Sequence, residues 1–282
     1  MSKAPLWIRL LRWYSLHTPF HRGTYRAALW LYQHLPIPDM EVETTLDRTL
    51  RVTLRLPIWV DYNIYTLGFY EAPLVRFFAR SLRPDTVFLD IGAYIGQYTL
   101  LAAKYAPQGQ VIACEPHPES FARLAAHLSR NHLKNAFALQ RAVGGQRVER
   151  ALLCLSDQIS DSEITLQPSD ESFIEVPMIT LDEIVHEFGL QKVDLVKIDV
   201  EGMEGAVLRG AEETLSRFRP LLIIELDRSR EEVWGDSPEA ILTYLERMGY
   251  ALHFWAGWRI RPLLRHSIGY ANVIAIPREG LK

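Results

Sequence analysis

The chain is predicted to be an α/β protein, with a mostly parallel, seven-stranded sheet covered by helices on both faces and an N-terminal extension of helix and β-structure. Three observations predict it. Short apolar runs alternate with helix-like segments from residue 87 to residue 276, the pattern that builds parallel sheets with two helical layers. The first run closes in an acid and a glycine-rich turn, Val87-Phe-Leu-Asp-Ile-Gly-Ala-Tyr-Ile-Gly-Gln-Tyr-Thr99. Residues 1–38 stand apart, holding Lys3, Arg9, Arg12, Arg22 and Arg26 with no Asp or Glu.

Two units are expected, a basic extension over 1–59 and the main domain over 60–282. Trp7, Ile8, Leu10, Leu11, Trp13 and Tyr14 crowd the extension and suit an amphipathic helix. Leu50, Val52, Leu54 and Leu56 alternate with Arg51, Thr53 and Arg55, so a half-buried strand, at a sheet edge or in a small hairpin, follows. Leu74, Phe77, Phe78 and Leu82 mark a helix face that Pro84-Asp85 breaks.

Val87 to Leu89 is the first strand of the main sheet, and 97–105 reads as a helix stopped by Pro107 and Gly109. Val111-Ile-Ala-Cys-Glu115 is the second strand, again ending in an acid. Phe121, Leu124, Ala125 and Leu128 form a helix face after Pro116 and Pro118, and Ala136 to Leu139 is the third strand. Residues 147–180 read as strands and loops, with a mobile loop over Ser156 to Ser172. Leu181, Ile184, Val185 and Phe188 mark a helix that Gly189 stops. Val193 to Asp199 and Pro220 to Glu225 are strands four and five. Ser237-Pro-Glu opens the last helix, and 250–255 and 272–276 close the sheet with an antiparallel finish.

The glycine spacing points to a cofactor class. A dinucleotide turn needs G-x-G-x-x-G; this chain has D-x-G-x-x-x-G, similar to motif I of Rossmann-like methyltransferases, which hold S-adenosylmethionine. An acid at the tip of the second strand can accept both hydrogen bonds of a ribose diol. Together with VIACEPHPESFARLAAHLSRN, with TLDEIVHEFGLQKVDLVKIDVEGMEGAVLRGA and with PLLIIEL, the stretch over 60–226 resembles the FkbM family of S-adenosylmethionine-dependent methyltransferases.

That resemblance implies a class I methyltransferase fold and O-methylation of a hydroxyl on a sugar, glycolipid or polyketide-like metabolite. It implies that Asp90, Gly92, Ala93 and Gly96 line the methionine end of the cofactor, that Glu115 holds the ribose, and that Pro116 and His117 lie by the adenine. Tyr70 and Glu71 would close over it, and Asp199 would face the reacting atoms. Two alternatives stay open: a non-catalytic binding or scaffold protein that retains the fold, and a nicotinamide-dependent oxidoreductase, which the missing glycine triplet disfavours.

A sugar hydroxyl is a poor nucleophile, so a base or a metal should help remove its proton. Lys197, Asp199 and Glu201 alternate, share one face in an extended chain, and are the candidates for the acceptor side. The other reading of Lys197 and Glu201 is a structural ion pair. Asp199, Glu225 and Asp227 could instead bind Mg²⁺, which favours hard oxygen ligands. His117, His253 and His266 are weaker candidate bases, and Trp258, Arg259, Arg261, Arg265 and His266 sit in a loop that could reach over an anionic or sugar-bearing acceptor.

The net charge of −3 gives no reason to expect nucleic-acid affinity. Only Cys114 and Cys154 are present, so a reduced, cytoplasmic setting fits. No run approaches the roughly 18 apolar residues of a membrane span. The basic, aromatic-rich residues 1–38 could instead touch a membrane surface or a glycolipid, pack on the domain as a helical extension, or form a lid over the substrate; their Arg-rich, acid-poor composition also resembles a transit peptide.

Overall fold

A computed structural model of the chain describes residues 4–17, 23–154, 163–165, 173–255, 260–263 and 269–280. Helices α1 (Leu6–His17) and α2 (Thr24–His34) come first. Strands β1 (Glu41–Leu46) and β2 (Leu50–Arg55) follow as an antiparallel hairpin, separate from the main sheet. Asp47 and Arg48 both take positive φ at its tip, the conformation that matches hairpin twist. Helices α3 (Trp59–Leu67) and α4 (Ala72–Ser81) lead into β3 (Val87–Ile91), α5 (Gln97–Tyr105), β4 (Gln110–Cys114), α6 (Pro118–Arg130) and β5 (Ala136–Leu139). The helix expected over 97–105 occupies those residues.

Next come β6 (Ala142–Val143), β7 (Val148–Cys154), β8 (Glu163–Thr165), β9 (Phe173–Ile179), α7 (Leu181–Glu187), β10 (Leu195–Ile198), α8 (Glu204–Arg209), α9 (Glu212–Phe218), β11 (Leu221–Asp227) and α10 (Arg228–Glu231). The chain ends through α11 (Pro238–Arg247), β12 (Tyr250–Trp255), β13 (Ile260–Pro262) and β14 (Tyr270–Pro277). The cap read at Ser237 is present, and the structure adds a second at Thr180. Ser237 accepts from the Ala240 amide at the start of α11, and Thr180 with Glu183 forms a capping box on α7.

The main sheet runs β13-β12-β14-β11-β10-β3-β4-β5. Strands β5, β4, β3, β10 and β11 are parallel, and β14 inserts antiparallel between β11 and β12. This is the expected seven-stranded sheet with its antiparallel finish, plus one strand that the sequence did not reveal. That strand is β13, three residues hydrogen-bonded along the edge of β12; a segment so short carries no periodicity to read. Strands β7, β8 and β9, in the stretch 147–180 where strands and loops were expected, join β6 just before it in a second, four-stranded sheet, β6-β9-β7-β8. The segment 156–172 lies outside the described residues apart from the backbone of 163–165, and Trp258, Arg259, Arg265 and His266 lie outside them too.

Alternation along each strand sends neighbours to opposite faces. Phe88, Val111, Leu195 and Ile223 pack in one apolar cluster, and Leu89, Ile112, Val196 and Ile224 in the other. The first cluster continues through Phe78 on α4, Tyr62 on α3 and Leu54 on β2 to Ile8 and Leu11 on α1. The extension is therefore packed on the same core as the sheet.

Candidate functional site

The carboxyl ends of β3, β4, β10 and β11 open onto a single cleft of about 1190 Å³. That exceeds the roughly 300–1,000 Å³ of a typical small-ligand pocket, so two reactants can share it. Parallel strands place their ligand crevices at this edge because their following turns diverge there to opposite faces.

The turn after β3 forms the floor. Gly92 and Ala93 donate their amides to the Cys114 carbonyl, both at 3.0 Å, which binds the turn to the end of β4. Asp90 is buried, and its Oδ2 accepts from the Thr99 hydroxyl at 2.5 Å while Oδ1 has no protein partner. Burial raises the Asp90 pKa, against the pull of the Lys197 ammonium. Gly96, at φ 89°, caps α5. A side chain there would strike Leu124 of α6, so this second glycine serves helix packing and stands outside the cleft wall.

Glu115 sits at the tip of β4 and lines the cleft. Its Oε2 accepts from the Tyr94 amide at 2.7 Å and its Oε1 from the His117 amide at 2.9 Å. A carboxylate has about four lone-pair sites, so two remain for a ligand diol. Burial pushes the Glu115 pKa up to about 7, opposed by those two amide hydrogen bonds. Pro116 lines the cleft beside it. His117 does not: its ring turns inward to cap α6, with Nδ1 accepting from the Ser120 amide at 3.4 Å. That placement corrects the expectation of His117 by the adenine, because the capping bond fixes the ring away from the cleft. His253, on β12, lies outside the wall as well.

At β10, Lys197 is buried and its Nζ lies 2.5 Å from Asp199 Oδ2. The ammonium also stands over the Tyr98 ring, 4.9 Å from its centroid. Burial alone would lower the Lys197 pKa, but Asp199, Asp90 and Glu225 together outweigh burial and raise it. The shared face of Lys197 and Asp199 is therefore observed. Glu201 departs from it. The strand ends at Ile198, Glu201 enters a turn at φ 58°, and its carboxylate pairs with Arg230. Neither a Lys197–Glu201 ion pair nor a three-residue face forms, because the chain stops being extended two residues too early.

Glu225 on β11 faces the same cleft, where burial first, then Asp199 and Glu71, raises its pKa. Asp227 ends the strand as the cap of α10, accepting from the Ser229 amide at 2.9 Å, with Arg230 beside it at 3.7 Å. Among the described residues no three His, Cys, Asp or Glu side chains are grouped to hold a metal ion. Asp199, Glu225 and Asp227 thus do not make the expected Mg²⁺ ligand set: one is committed to Lys197 and another to a helix cap.

Glu71 reaches the cleft from upstream as expected, at φ 50° ahead of α4. Its Oε1 accepts from Asn272 Nδ2 at 2.6 Å, and burial raises its pKa against Lys197. Sequence reasoning missed the residues that hold this segment. Gln97 accepts from the Tyr70 amide at 2.9 Å and donates to the Tyr70 carbonyl at 3.0 Å. Asp61, fully buried, accepts from the Tyr94 hydroxyl at 3.2 Å and pairs with Arg123. Gln97 follows Gly96 directly, so its position at the helix start was a usable signal; the Asp61–Arg123 pair, sixty-two residues apart, offered none.

A strand order with the reversed strand set between the fifth and sixth, a glycine turn after the first central strand and an acid at the tip of the next define a class I methyltransferase fold. The chain belongs to the family described as the methyltransferase FkbM domain, whose model matches residues 90–252. It is 26% identical over 205 residues to the AMB antimetabolite synthetase AmbE of Pseudomonas aeruginosa, covering 60% of this chain and 10% of that one. It is 26% identical over 159 residues to the hexuronic acid methyltransferase AglP of Haloferax volcanii, covering 55% of this chain and 62% of that one. It is 27% identical over 200 residues to the 2-O-methyltransferase NoeI of Sinorhizobium fredii, covering 66% and 81%. The match thus spans a tenth of AmbE and less than two thirds of AglP.

Proposed function

We propose that residues 60–282, with 1–59 as their extension, form an S-adenosylmethionine-dependent O-methyltransferase acting on a hydroxyl of a carbohydrate-containing or polyketide-like small molecule. The observation that carries this is the convergence of Asp90, Gly92, Glu115 and Asp199, from three adjacent strand ends, on one cleft. The residues fit that cofactor: Asp90 Oδ1 has no protein partner, and Glu115 keeps lone pairs toward the cleft. AglP and NoeI, named for hexuronic acid methylation and 2-O-methylation, support the acceptor class.

Bound there, S-adenosylmethionine supplies an electrophilic methyl group on a sulfonium leaving group. Glu115 would hold the ribose diol, and the Gly92–Ala93 turn with Asp90 would face the amino-acid end. Asp199 would stand at the acceptor side, where its carboxylate would take the proton of the acceptor hydroxyl. Lys197 would position Asp199 through their 2.5 Å contact. Glu225, its pKa raised beside Asp199, remains neutral more readily and does not compete for the proton. Holding acceptor and methyl in line contributes several kcal/mol without further chemistry from the protein.

No step runs through Mg²⁺, since the three carboxylates are not gathered for it. No helix among the described residues is long and apolar enough to cross a membrane; a cytoplasmic setting, with the acceptor either free or borne on a lipid at the membrane, completes this reading. The decisive experiment is calorimetric titration with S-adenosylhomocysteine beside NAD⁺. Binding of the first alone supports the proposal and opens a screen of sugar and glycolipid acceptors with labelled methyl donor; binding of NAD⁺ alone, or of neither, overturns it.

A further inference from the structure

Helix α1 is apolar on both of its sides, and the protein core covers only one. Ile8, Leu11 and Ser15 face inward. Leu6, Leu10 and Trp13, at i, i+4 and i+7, form the opposite stripe and are 67%, 57% and 58% exposed. A surface helix normally gives its outer face to polar residues. On helix α2, Ala28 is buried while Trp30, on the other side of the helix, is 56% exposed.

Each exposed indole is also held in place. Trp13 stacks on His17 with centroids 5.7 Å apart, and Trp30 on His34 at 4.7 Å. In both pairs the histidine Nδ1 lies within hydrogen-bond distance of the tryptophan carbonyl, at 3.0 Å and 2.8 Å. Rigid, outward-facing indoles suit the boundary between headgroups and acyl chains, where the ring is partly dry and its N–H stays wet.

The charge around this face has one sign. Arg9 and Arg26 are exposed on the same two helices, and neither helix carries an acidic residue. The two helices also border the cleft, since Ser15 and Leu16 at the end of α1 and Thr24 and Tyr25 at the start of α2 line it. We propose that the outer face of α1 and α2 docks on an anionic lipid bilayer and presents the cleft mouth to an acceptor borne on a membrane lipid. This rests on the transferase reading for the acceptor, but the docking itself does not.

The test is cosedimentation of the full chain with vesicles of phosphatidylcholine containing phosphatidylglycerol, against vesicles of phosphatidylcholine alone. Wild type should pellet with the anionic vesicles and release at high salt. Each basic side chain at such a surface contributes roughly fivefold in affinity, so Arg9→Gln with Arg26→Gln should weaken binding by roughly 25-fold. Trp13→Ala with Trp30→Ala should weaken it on both vesicle types, while circular dichroism and S-adenosylhomocysteine affinity stay at wild-type values. Equal binding by wild type and both variants, or no binding by wild type, overturns the proposal. So does concentration-dependent self-association that Leu10→Glu abolishes, without vesicle binding, since the face would then belong to a second copy. Loss of S-adenosylhomocysteine binding with vesicle binding intact would overturn the transferase reading and leave the docking standing.

Discussion

A Cβ placed on Gly92 would lie 1.7 Å from the carbonyl oxygen of Asp199. The turn that follows β3 and the chain that leaves β10 are thus in backbone contact, with Asp199 N donating to the Ile91 carbonyl at 3.0 Å. The floor of the cleft below β3 and its wall at β10 are built on one close approach, which only a residue without a side chain allows.

Gly92→Ala tests that contact. The added carbon meets backbone, which cannot swing aside, and the position has φ 81°. Strain and overpacking together should cost about 2–5 kcal/mol of stability. Urea denaturation should show it, and S-adenosylhomocysteine binding should be lost in any protein that still folds.

With Glu115 in the proposed ribose site, cofactor binding should depend on pH. Its carboxyl, pushed up to about 7 by burial, holds a proton below that pH that a ribose diol must displace. Affinity for S-adenosylhomocysteine should therefore fall by up to about tenfold per pH unit below about 7 and level off above it. Calorimetry across that range should show the bend, and Glu115→Gln should flatten it. Affinity that does not change with pH would remove Glu115 from the ribose site.

Glu204, buried at the start of α8, gives stability a pH dependence of the opposite sense. Burial raises its pKa to about 7 from an ordinary value of 4.5. Between those values the folded state binds more protons than the unfolded one. Its contribution is then complete below about pH 4.5 and is lost as pH rises through about 7. Glu204→Gln keeps an oxygen for the Val200 amide, 2.9 Å away, and removes the titration. Its urea midpoint should drop less between about pH 5 and about pH 8 than that of wild type.

Lys197 and Asp199 should fail in different ways. Lys197→Met leaves Asp90, Asp199 and Glu225 without their shared cation and should cost about 3–5 kcal/mol. Asp199→Asn keeps a hydrogen-bond acceptor for Lys197, so the fold and S-adenosylhomocysteine binding should persist while methyl transfer falls by roughly 10²–10⁴-fold. Glu201→Gln, at the cleft wall but with its carboxylate turned to Arg230, should retain most of the transfer. Equal losses for Asp199→Asn and Glu201→Gln would contradict the assignment of Asp199.

Because Asp227 caps α10 and Asp199 pairs with Lys197, titration with MgCl₂ should give no saturable heat, and transfer should survive EDTA. A magnesium-dependent rate would require Asp227 to leave the Ser229 amide.

The sequence by itself determined the sheet, the floor of the cleft and the acid at the tip of β4. Those features are local: alternating apolar residues, two glycines at the spacing of a strand–helix turn, and a carboxylate ending a strand. Segments that carry both a period and a stop signal, such as 97–105, matched the structure. What only the tertiary structure decided were relations across long separations and the directions of side chains. Glu201 left the face of Asp199 because the chain turned to positive φ, His117 capped a helix, Asp227 capped another, and β13 was too short to show a period. The partners that hold the site, Gln97 to Tyr70, Asn272 to Glu71 and Arg123 to Asp61, meet only once the helices have packed. A linear pattern reports which face a residue prefers. Burial and packing then select which polar group each buried carboxylate takes as its partner, because none can remain unpaired without cost.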